Sequence, residues 1–381
     1  MPCANYDTHR TMNMNVVLEP VHSRAGAMDV CIPKSNYIVI DDVGWKSGYD
    51  DSKINGPYRS GIQRMHVYED YYALYVFAEQ LGIRPQIAFV AGEWDQTNLL
   101  RTVAHSNSEW NRWDSSRFRI DREKEIVELL NSGKFSLAVH SLNHEFWEAP
   151  GKPFSRAEFG PIREEAVMRR HLDAFFTILR QNGICPKTEI NSFVPPAFQY
   201  SKNCAAQVLR DYGIRYVSTP YHALTWDGPL PDRYFMDAGL IVVDRTDDWI
   251  KWNQTRPAMP EGLKDGFFGM HIANFLAPDP TDNPAVAERW AAYFQRYKTR
   301  YGFILARDEA AAHKQTVFEK EVKAAADDHG VVLTGKVPAA AGARCLVHSR
   351  SPLQAQLLRD CGDFFEYVAD YHDGLRITFT G

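Results

Sequence analysis

The stretch YIVIDDVG, Tyr37–Gly44, runs the apolar residues Ile38, Val39 and Ile40 straight into two adjacent carboxylates, Asp41 and Asp42. Further along, FSLAV, Phe135–Val139, reads as a second buried strand that ends at His140, with His144 one short turn later. Two strands that each deliver ionisable side chains at their C-terminal ends imply one mouth of a β/α barrel, the end at which such barrels carry chemistry. One carboxylate and two imidazoles make three ligands for a divalent ion, with positions left open for water and substrate. The second carboxylate is then free to act as a base.

Working outward, short β-branched runs alternate with helical patterns up to about Leu305, the signature of βα units. The strands expected are Tyr37–Ile40, Pro85–Val90, Phe135–Val139, Ser192–Val194, Arg215–Ser218, Leu240–Val243 and Phe267–Met270, with FILAR at Phe303–Arg307 a plausible last one. Helices are expected over Tyr68–Gln80, stopped by Gly82, over Arg163–Gln181 and over Ala285–Tyr301. The fold class is α/β, an irregular (β/α) barrel of about seven strands. The barrel is expected to occupy residues 1–313, with a polar, Trp-rich insertion at 92–119 of the kind that forms lids or binding loops. Residues 314–381 read as a small β-rich accessory domain, entered through a charged helix or linker at Thr316–His329. His348 and His372 in that region are expected to be surface or satisfied polar residues.

Bulk properties narrow the function. The chain has 381 residues, 45% hydrophobic and 24% charged, in the range of soluble globular proteins. Its net charge of −5 is scattered, which gives no electrostatic case for nucleic acid or an anionic membrane. No apolar run approaches the ~20 residues of a spanning helix, and NVVL near the start is too short for a signal-peptide core. A cytoplasmic location is therefore expected. The six cysteines are dispersed without a CxxC pair, so a disulfide framework or zinc–thiolate site is not expected.

Each motif has a bland reading beside the chemical one. An Asp pair after a strand serves often as a turn or helix cap, and neighbours on a strand face opposite ways. His140 and His144, if on a helical turn, share a face and can chelate one ion. NSFVPPAFQYS, Asn191–Ser201, holds two prolines that stiffen a loop able to present backbone N–H groups to an oxyanion. VVDRTDDWI, Val242–Ile250, is another strand entering carboxylates, and FGMHI, Phe268–Ile272, delivers His271.

Taken in order, these pieces resemble the polysaccharide deacetylase, or NodB-homology, superfamily, carbohydrate esterase family four and its relatives. Asp41-Asp42-Val43-Gly44 matches the Asp-Asp motif, and His140-Ser141-Leu142-Asn143-His144 matches His-Ser/Thr-x-x-His in full. Val194-Pro195-Pro196-Ala197-Phe198 stands for Arg-Pro-Pro-Tyr/Phe without its arginine. Asp244 to Trp249 stands for Asp-x-x-Asp-Trp with one extra residue, and Gly269-Met270-His271 for Leu-x-His with the leucine altered. The resemblance spans roughly residues 37–310.

The resemblance implies a metal-dependent hydrolase that removes an N-acetyl, or other amide-linked acyl, group from an amino-sugar-containing substrate. Asp42, His140 and His144 would hold one divalent ion, expected to be zinc, though the donor set also suits cobalt, manganese or nickel. Asp41 would be the base and His271 the acid. The Pro195, Pro196, Ala197 and Phe198 loop would serve the oxyanion, and Asp244, Asp247 or Asp248 would orient His271. In the family the missing arginine holds the base Asp; Arg245 is the candidate substitute. Trp94, Trp110, Trp113 and Trp249 are the candidates for stacking on sugar faces. Two competing readings are an amidohydrolase of the same superfamily that opens a cyclic imide or ureide, and a catalytically silent carbohydrate-binding protein. A homo-oligomer is left open.

Overall fold

The computed structural model describes residues 21–22, 28–33, 36–49, 59–187, 189–200, 205–224, 234–246, 250–258, 266–301, 305–327, 330–335, 337–353, 355–360, 362 and 364–378. They fall into two compact units, one within Ile38–Ala258 and Phe267–Phe294, the other within Met1–Tyr37, Met259–Gly266 and Gln295–Gly381.

The first unit is a closed (β/α) barrel. Its seven strands are β1 (Asn36–Val43), β2 (Gln86–Val90), β3 (Ser136–Ser141), β4 (Ser192–Phe193), β5 (Tyr216–Thr219), β6 (Leu240–Thr246) and β7 (Gly266–His271). Pairing runs β6-β7-β1-β2-β3-β4-β5, and β5 pairs back onto β6 to close the ring. A parallel sheet covered by crossover helices is buried on both faces, so its strands read as continuous apolar runs. Accordingly every residue of β1 is buried, as are those of β2 and β3. The structure extends β1, β3 and β7 past the apolar runs, so that Asp41, Asp42, His140 and His271 lie within the strands. Of the FILAR run, Phe303 and Ile304 lie outside the described residues, and Leu305 makes a parallel bridge to Asn36.

Helices follow the expected spacing. The first, α1 (Tyr68–Leu81), ends at Gly82 in the left-handed conformation, φ 65°. Next come α2 (Glu123–Leu130) and α3 (Glu165–Gln181), and α3 buries Met168, Leu172, Phe175 and Leu179 along one stripe. They are followed by α4 (Ala205–Asp211) and α5 (Asn283–Tyr301). A strand at Tyr234–Asp237, not legible in the sequence, pairs antiparallel with β6 as a hairpin. The 92–119 insertion is a chain of 3-10 turns, at Gly92–Trp94, Leu99–Arg101, Trp110–Arg112 and Ser115–Arg117.

The second unit is β-rich and takes strands from both ends of the sequence. Met28–Cys31 pairs antiparallel with Arg344–Ser349, which joins an N-terminal strand to the C-terminal sheet. Such a pairing spans nearly the whole chain and leaves no local sequence signal. The five-stranded sheet runs Val21–His22, Met28–Cys31, Arg344–Ser349, Phe365–Asp370, Gln356–Asp360; a three-stranded sheet combines Lys323–Asp327, Gly330–Thr334 and Leu375–Thr378. The entering helix is α6 (Glu309–Glu321), started by Asp308, whose carboxylate accepts from Ala311 N. It ends before Lys323–Asp327, which is a strand and not the second half of a helix. His348 is paired, at 2.8 Å from Glu366. Among the described residues Cys31, Cys185 and Cys345 are free thiols, and no helix is long and apolar enough to cross a membrane.

Candidate metal centre and active site

Two β-bulges build the site. Between Ile40 and Val43, β1 carries one more residue than its partner β2, and Asp42 adopts φ 63°. A bulge breaks the strict alternation of a strand, so Asp41 and Asp42 both face one cavity, where alternation alone would separate them. Immediately after, Gly44 takes φ 117°, and a Cβ there would lie 2.2 Å from Val90 O; only glycine lets the chain pass. The same device recurs between β2 and β3, where an extra residue falls at His140.

His140 and His144 are not on a helix. His140 is in β3, whereas His144 follows a non-helical turn and has φ 63°. Buried hydrogen bonds hold that turn. Leu142 N and Asn143 N both donate to Glu158 Oε2 at 2.9 Å, and His144 N donates to Ser141 Oγ at 3.0 Å. Glu158 Oε1 is 2.7 Å from His171 Nδ1, and His171 Nε2 is 3.0 Å from Ala104 O. An outer-shell bond also orients His140: its Nδ1 lies 2.6 Å from Val194 O, which directs Nε2 into the cavity.

The three donors fit a tetrahedral divalent ion. Nε2 of His140 and Nε2 of His144 stand 3.4 and 3.5 Å from Asp42 Oδ1, and all three donor atoms lie within 4.8 Å of one another. Ligands at zinc bond lengths are separated by about 3.3 Å along a tetrahedral edge. The same distances are too long for good hydrogen bonds, and Asp42 Oδ1 and His140 Nε2 are buried with no hydrogen-bond partner. Burial pushes the Asp42 carboxyl up, but His140, His144 and His271 outweigh it and hold it below its ordinary value. For His144 burial dominates and takes the imidazole down to about 4, so it is neutral and able to ligate at pH 7. His140 is raised: burial lowers it, and Asp42 and Asp41 overcome that.

Asp41 is held from β6, the strand on the far side of β7. Arg245, on β6, donates from Nη1 and Nη2 to Asp41 Oδ1 and Oδ2 at 3.1 and 2.9 Å, and the guanidinium is fully buried. This is the bidentate fork that fixes both the position and the plane of a carboxylate. Gly269 on β7 makes the room for it, since a Cβ there would sit 2.4 Å from Arg245 Nη2. His271 Nε2 is 3.9 Å from Asp42 Oδ2, and its backbone N–H donates to Asn274 Oδ1. Asp244 does not orient His271. It is exposed and accepts from Tyr221 N at 2.9 Å, because alternation along β6 turns it outward while Arg245 turns inward. Asp247, Asp248 and Trp249 lie outside the described residues.

The cavity has a volume of about 400 Å³. The three metal-site residues, Asp41 and His271 line it, as do Ala197 and Phe198 of the Pro-Pro loop. Ala197 and Phe198 are both left-handed, with φ 48° and 60°. Phe198 N donates to Pro195 O, so Ala197 carries the only other N–H of Pro195–Phe198, Pro196 having none. The insertion tryptophans do not line the cavity. Trp94 and Trp113 are buried; Trp94 Nε1 donates to Gly44 O and its ring carries Lys46 at 4.4 Å. Trp110 packs edge-on to His105. The wall aromatics are Trp252 and Phe198, joined by the cations Arg59, Arg156 and Lys251. Sequence reasoning did not single out Trp252, these three cations or Glu158, none of which sits in a motif.

No protein-family model and no curated protein matches the chain. Solved structures do. The chain is similar to carbohydrate esterases of family four. Agd3, described as a novel carbohydrate deacetylase, matches at 12% identity and TM-score 0.49 over 92% of this chain and 66% of its own, so this chain spans just under two thirds of that protein's length. A family 4 carbohydrate esterase from Streptomyces lividans, in complex with acetate, matches at 14% identity and TM-score 0.34 over 72% of this chain and 92% of its own. A pseudoenzyme of the same family from Bacillus anthracis matches at 11% identity and TM-score 0.34, over 71% of this chain and 63% of its own.

Proposed function

We propose that the chain is a metal-dependent hydrolase that removes an amide-linked acyl group, acetyl in the simplest case, from an amino-sugar substrate. The observation that carries this reading is the pairing, in one cavity, of a buried Asp42–His140–His144 donor set with a second carboxylate, Asp41, clamped by Arg245. A structural ion pair needs no open cavity, and a bare metal site needs no second fixed carboxylate.

Asp42, His140 and His144 would hold the ion, zinc being the best match to the nitrogen and oxygen donors. Bound there, it would supply Lewis acidity toward the acyl carbonyl and acidify a water molecule. Asp41 takes the proton from the attacking water. Arg245 holds the Asp41 oxygens in place, so the base does not reorganise during the step. Ala197 N–H donates to the oxygen that becomes negative as the carbonyl is attacked. His271, partly exposed at 22% and carried by β7 beside β1, donates a proton to the departing amine nitrogen. Trp252 offers a face to the sugar ring.

The test is metal content by mass spectrometry together with acetate release from N-acetylated hexosamine oligosaccharides. The wild type is expected to hold about one divalent ion per chain and to release acetate. Asp41→Asn keeps the ion and loses turnover, whereas His140→Ala loses both. Turnover of cyclic imides in place of acetate release would move the reading to ring opening. Full activity in Asp41→Asn would remove Asp41 as the base.

A further inference from the structure

We infer that Asn274 is a positioning residue, which ties the proposed acid His271 to the cavity-wall turn that carries Trp252 and so sets where the sugar ring lies relative to the leaving nitrogen. This rests on the hydrolase reading and concerns how its substrate is placed. Asn274 stands in the 3-10 turn Ile272–Phe275 that follows β7, and it is fully buried. A buried primary amide is costly unless its oxygen and both of its N–H groups find partners. Here all three partners come from the cavity wall. Oδ1 accepts from His271 N at 2.7 Å, and Nδ2 donates to Lys251 O at 2.7 Å and to Gln254 O at 2.9 Å. From behind, Trp290 Nε1 on α5 donates to the backbone oxygen of Asn274 at 2.9 Å.

The two carbonyls that Asn274 holds are the two ends of one tight turn, which Gln254 N closes by donating to Lys251 O at 2.9 Å. Trp252 lies between those ends. Residues 250–253 and 271–273 all line the cavity, so the amide joins two stretches of the same wall that are some twenty residues apart in the chain. Trp252 is half-buried and rests over Gly61, where a Cβ would meet the ring at 3.4 Å, an ordinary contact. The platform is thus supported under its ring by Gly61 and through its backbone by Asn274.

The chemistry gives this link its consequence. In amide hydrolysis the water oxygen bonds to the acyl carbon, the C–N bond breaks, and the nitrogen takes its proton from His271. A sugar stacked on Trp252 presents that nitrogen to His271 only while the two are held at a fixed separation, and a displacement of ~1 Å at such a group costs on the order of 100-fold. An amide that served stability alone could tie any two elements. This one takes the backbone N–H of the acid itself and both ends of the turn that bears the aromatic face. Asn274 touches neither substrate nor the reacting atoms in this arrangement and acts through its two neighbours.

The experiment compares kcat/KM of zinc-loaded wild type, Asn274→Ala, Trp252→Ala and the double variant on triacetylchitotriose and on p-nitrophenyl acetate, whose phenolate leaves without a proton and which offers no sugar ring. Asn274→Ala is expected to lose about tenfold more on the sugar than on the ester. The double variant is expected to fall no more than about threefold below Asn274→Ala on the sugar, because both changes disable one platform. Asn274→Asp has the same shape, keeps the acceptor for His271 N and removes both donors to the turn; it serves where Asn274→Ala folds poorly, with the same selective loss expected. Amide hydrogen exchange of the metal-free protein gives a readout besides turnover: peptides covering 250–254 exchange faster in Asn274→Ala, and those covering β1 to β3 keep their rates. Equal losses on the two substrates, multiplicative effects in the double variant, or unchanged exchange at 250–254 would overturn the inference. A wild type that hydrolyses neither substrate while exchange responds as stated would instead remove the hydrolase reading and leave Asn274 as the tie of the wall.

Discussion

Gly269→Ala is the sharpest perturbation of the proposed base, because it touches neither Asp41 nor the proposed metal ligands. The added Cβ would stand 2.4 Å from Arg245 Nη2 and 3.3 Å from Cζ, where ordinary contact begins at 3.4 Å. The guanidinium must therefore retreat by about 1 Å. Nη2 is the atom that holds Asp41 Oδ2 at 2.9 Å, so a retreat of that size takes the bond beyond hydrogen-bonding reach. Gly269 itself is not in the left-handed region, so alanine brings no backbone strain of its own. A misplacement of ~1 Å at a catalytic group costs on the order of 100-fold in rate, or about 2.7 kcal/mol in the barrier.

Acetate-release kinetics on the best substrate from the screen, with metal content and thermal melting alongside, give the readout. The loss is expected in kcat with KM changed less than threefold, and metal stays near one ion per chain. Arg245→Gln should lose at least as much activity. It should also be less stable by about 3 kcal/mol, because it leaves a buried carboxylate without its counter-charge. Activity within threefold of wild type in both variants would refute the tether. A loss in Gly269→Ala that tracked loss of metal would assign the damage to the strand and not to Asp41.

Two further outcomes follow from buried carboxylates elsewhere in the barrel. Glu158→Gln removes the charge that closes the turn between His140 and His144, so zinc affinity measured against a competing chelator should fall 10- to 100-fold; an unchanged affinity would mean the turn holds its shape without it. Asp70 is a buried carboxylate bonded by Arg64, His66, Val67 N and Asn283. Burial pushes its carboxyl up, and Arg64 and His66 more than reverse this, leaving it well below the usual range. A depressed carboxylate stabilises the fold above its unfolded value and loses that contribution as pH falls through the folded one. Asp70→Asn should therefore cost on the order of 3 kcal/mol in urea unfolding at pH 7, and the gap to wild type should shrink as the pH drops below about 4; a gap independent of pH would sink the assignment.

Much of the barrel was readable because most of its strands are short apolar runs, and three of them, β1, β3 and β7, run into the ionisable residues Asp41, Asp42, His140 and His271. What the sequence could not show is long-range. Asp41 and Arg245 meet from strands on two sides of β7, and nothing local to Arg245 marks it as the partner of a distant aspartate. Alternation along β6 then separates Arg245 from Asp244, so a carboxylate that looked like an orienter of His271 ends up bonding Tyr221 N. Of the three insertion tryptophans, Trp94 and Trp113 are buried and Trp110 is half-buried, and none of them lines the cavity.

The bulges and left-handed residues are the deeper reason the site resists sequence reading. Of the nine non-glycine residues with positive φ among the described residues, Asp42, His144, Ala197 and Phe198 line this cavity. Each such residue costs about 1–2 kcal/mol, and a chain selected only for stability would place glycine or asparagine there. Asp42 needs its conformation to turn beside Asp41, and His144 needs its own to come back onto Asp42 after leaving β3. The energy is recovered from the surroundings: the Glu158 bonds to the His140–His144 turn and the close passage of Gly44 over β2. Local propensity and tertiary demand disagree at these positions. Substituting glycine at His144 would relieve the strain and abolish the ligand, whereas glycine at Ala197 would relieve it and keep the backbone donor. Ala197→Gly should therefore leave metal content intact and cost little stability, and any fall in kcat would measure how much the rigid loop contributes to binding the oxyanion.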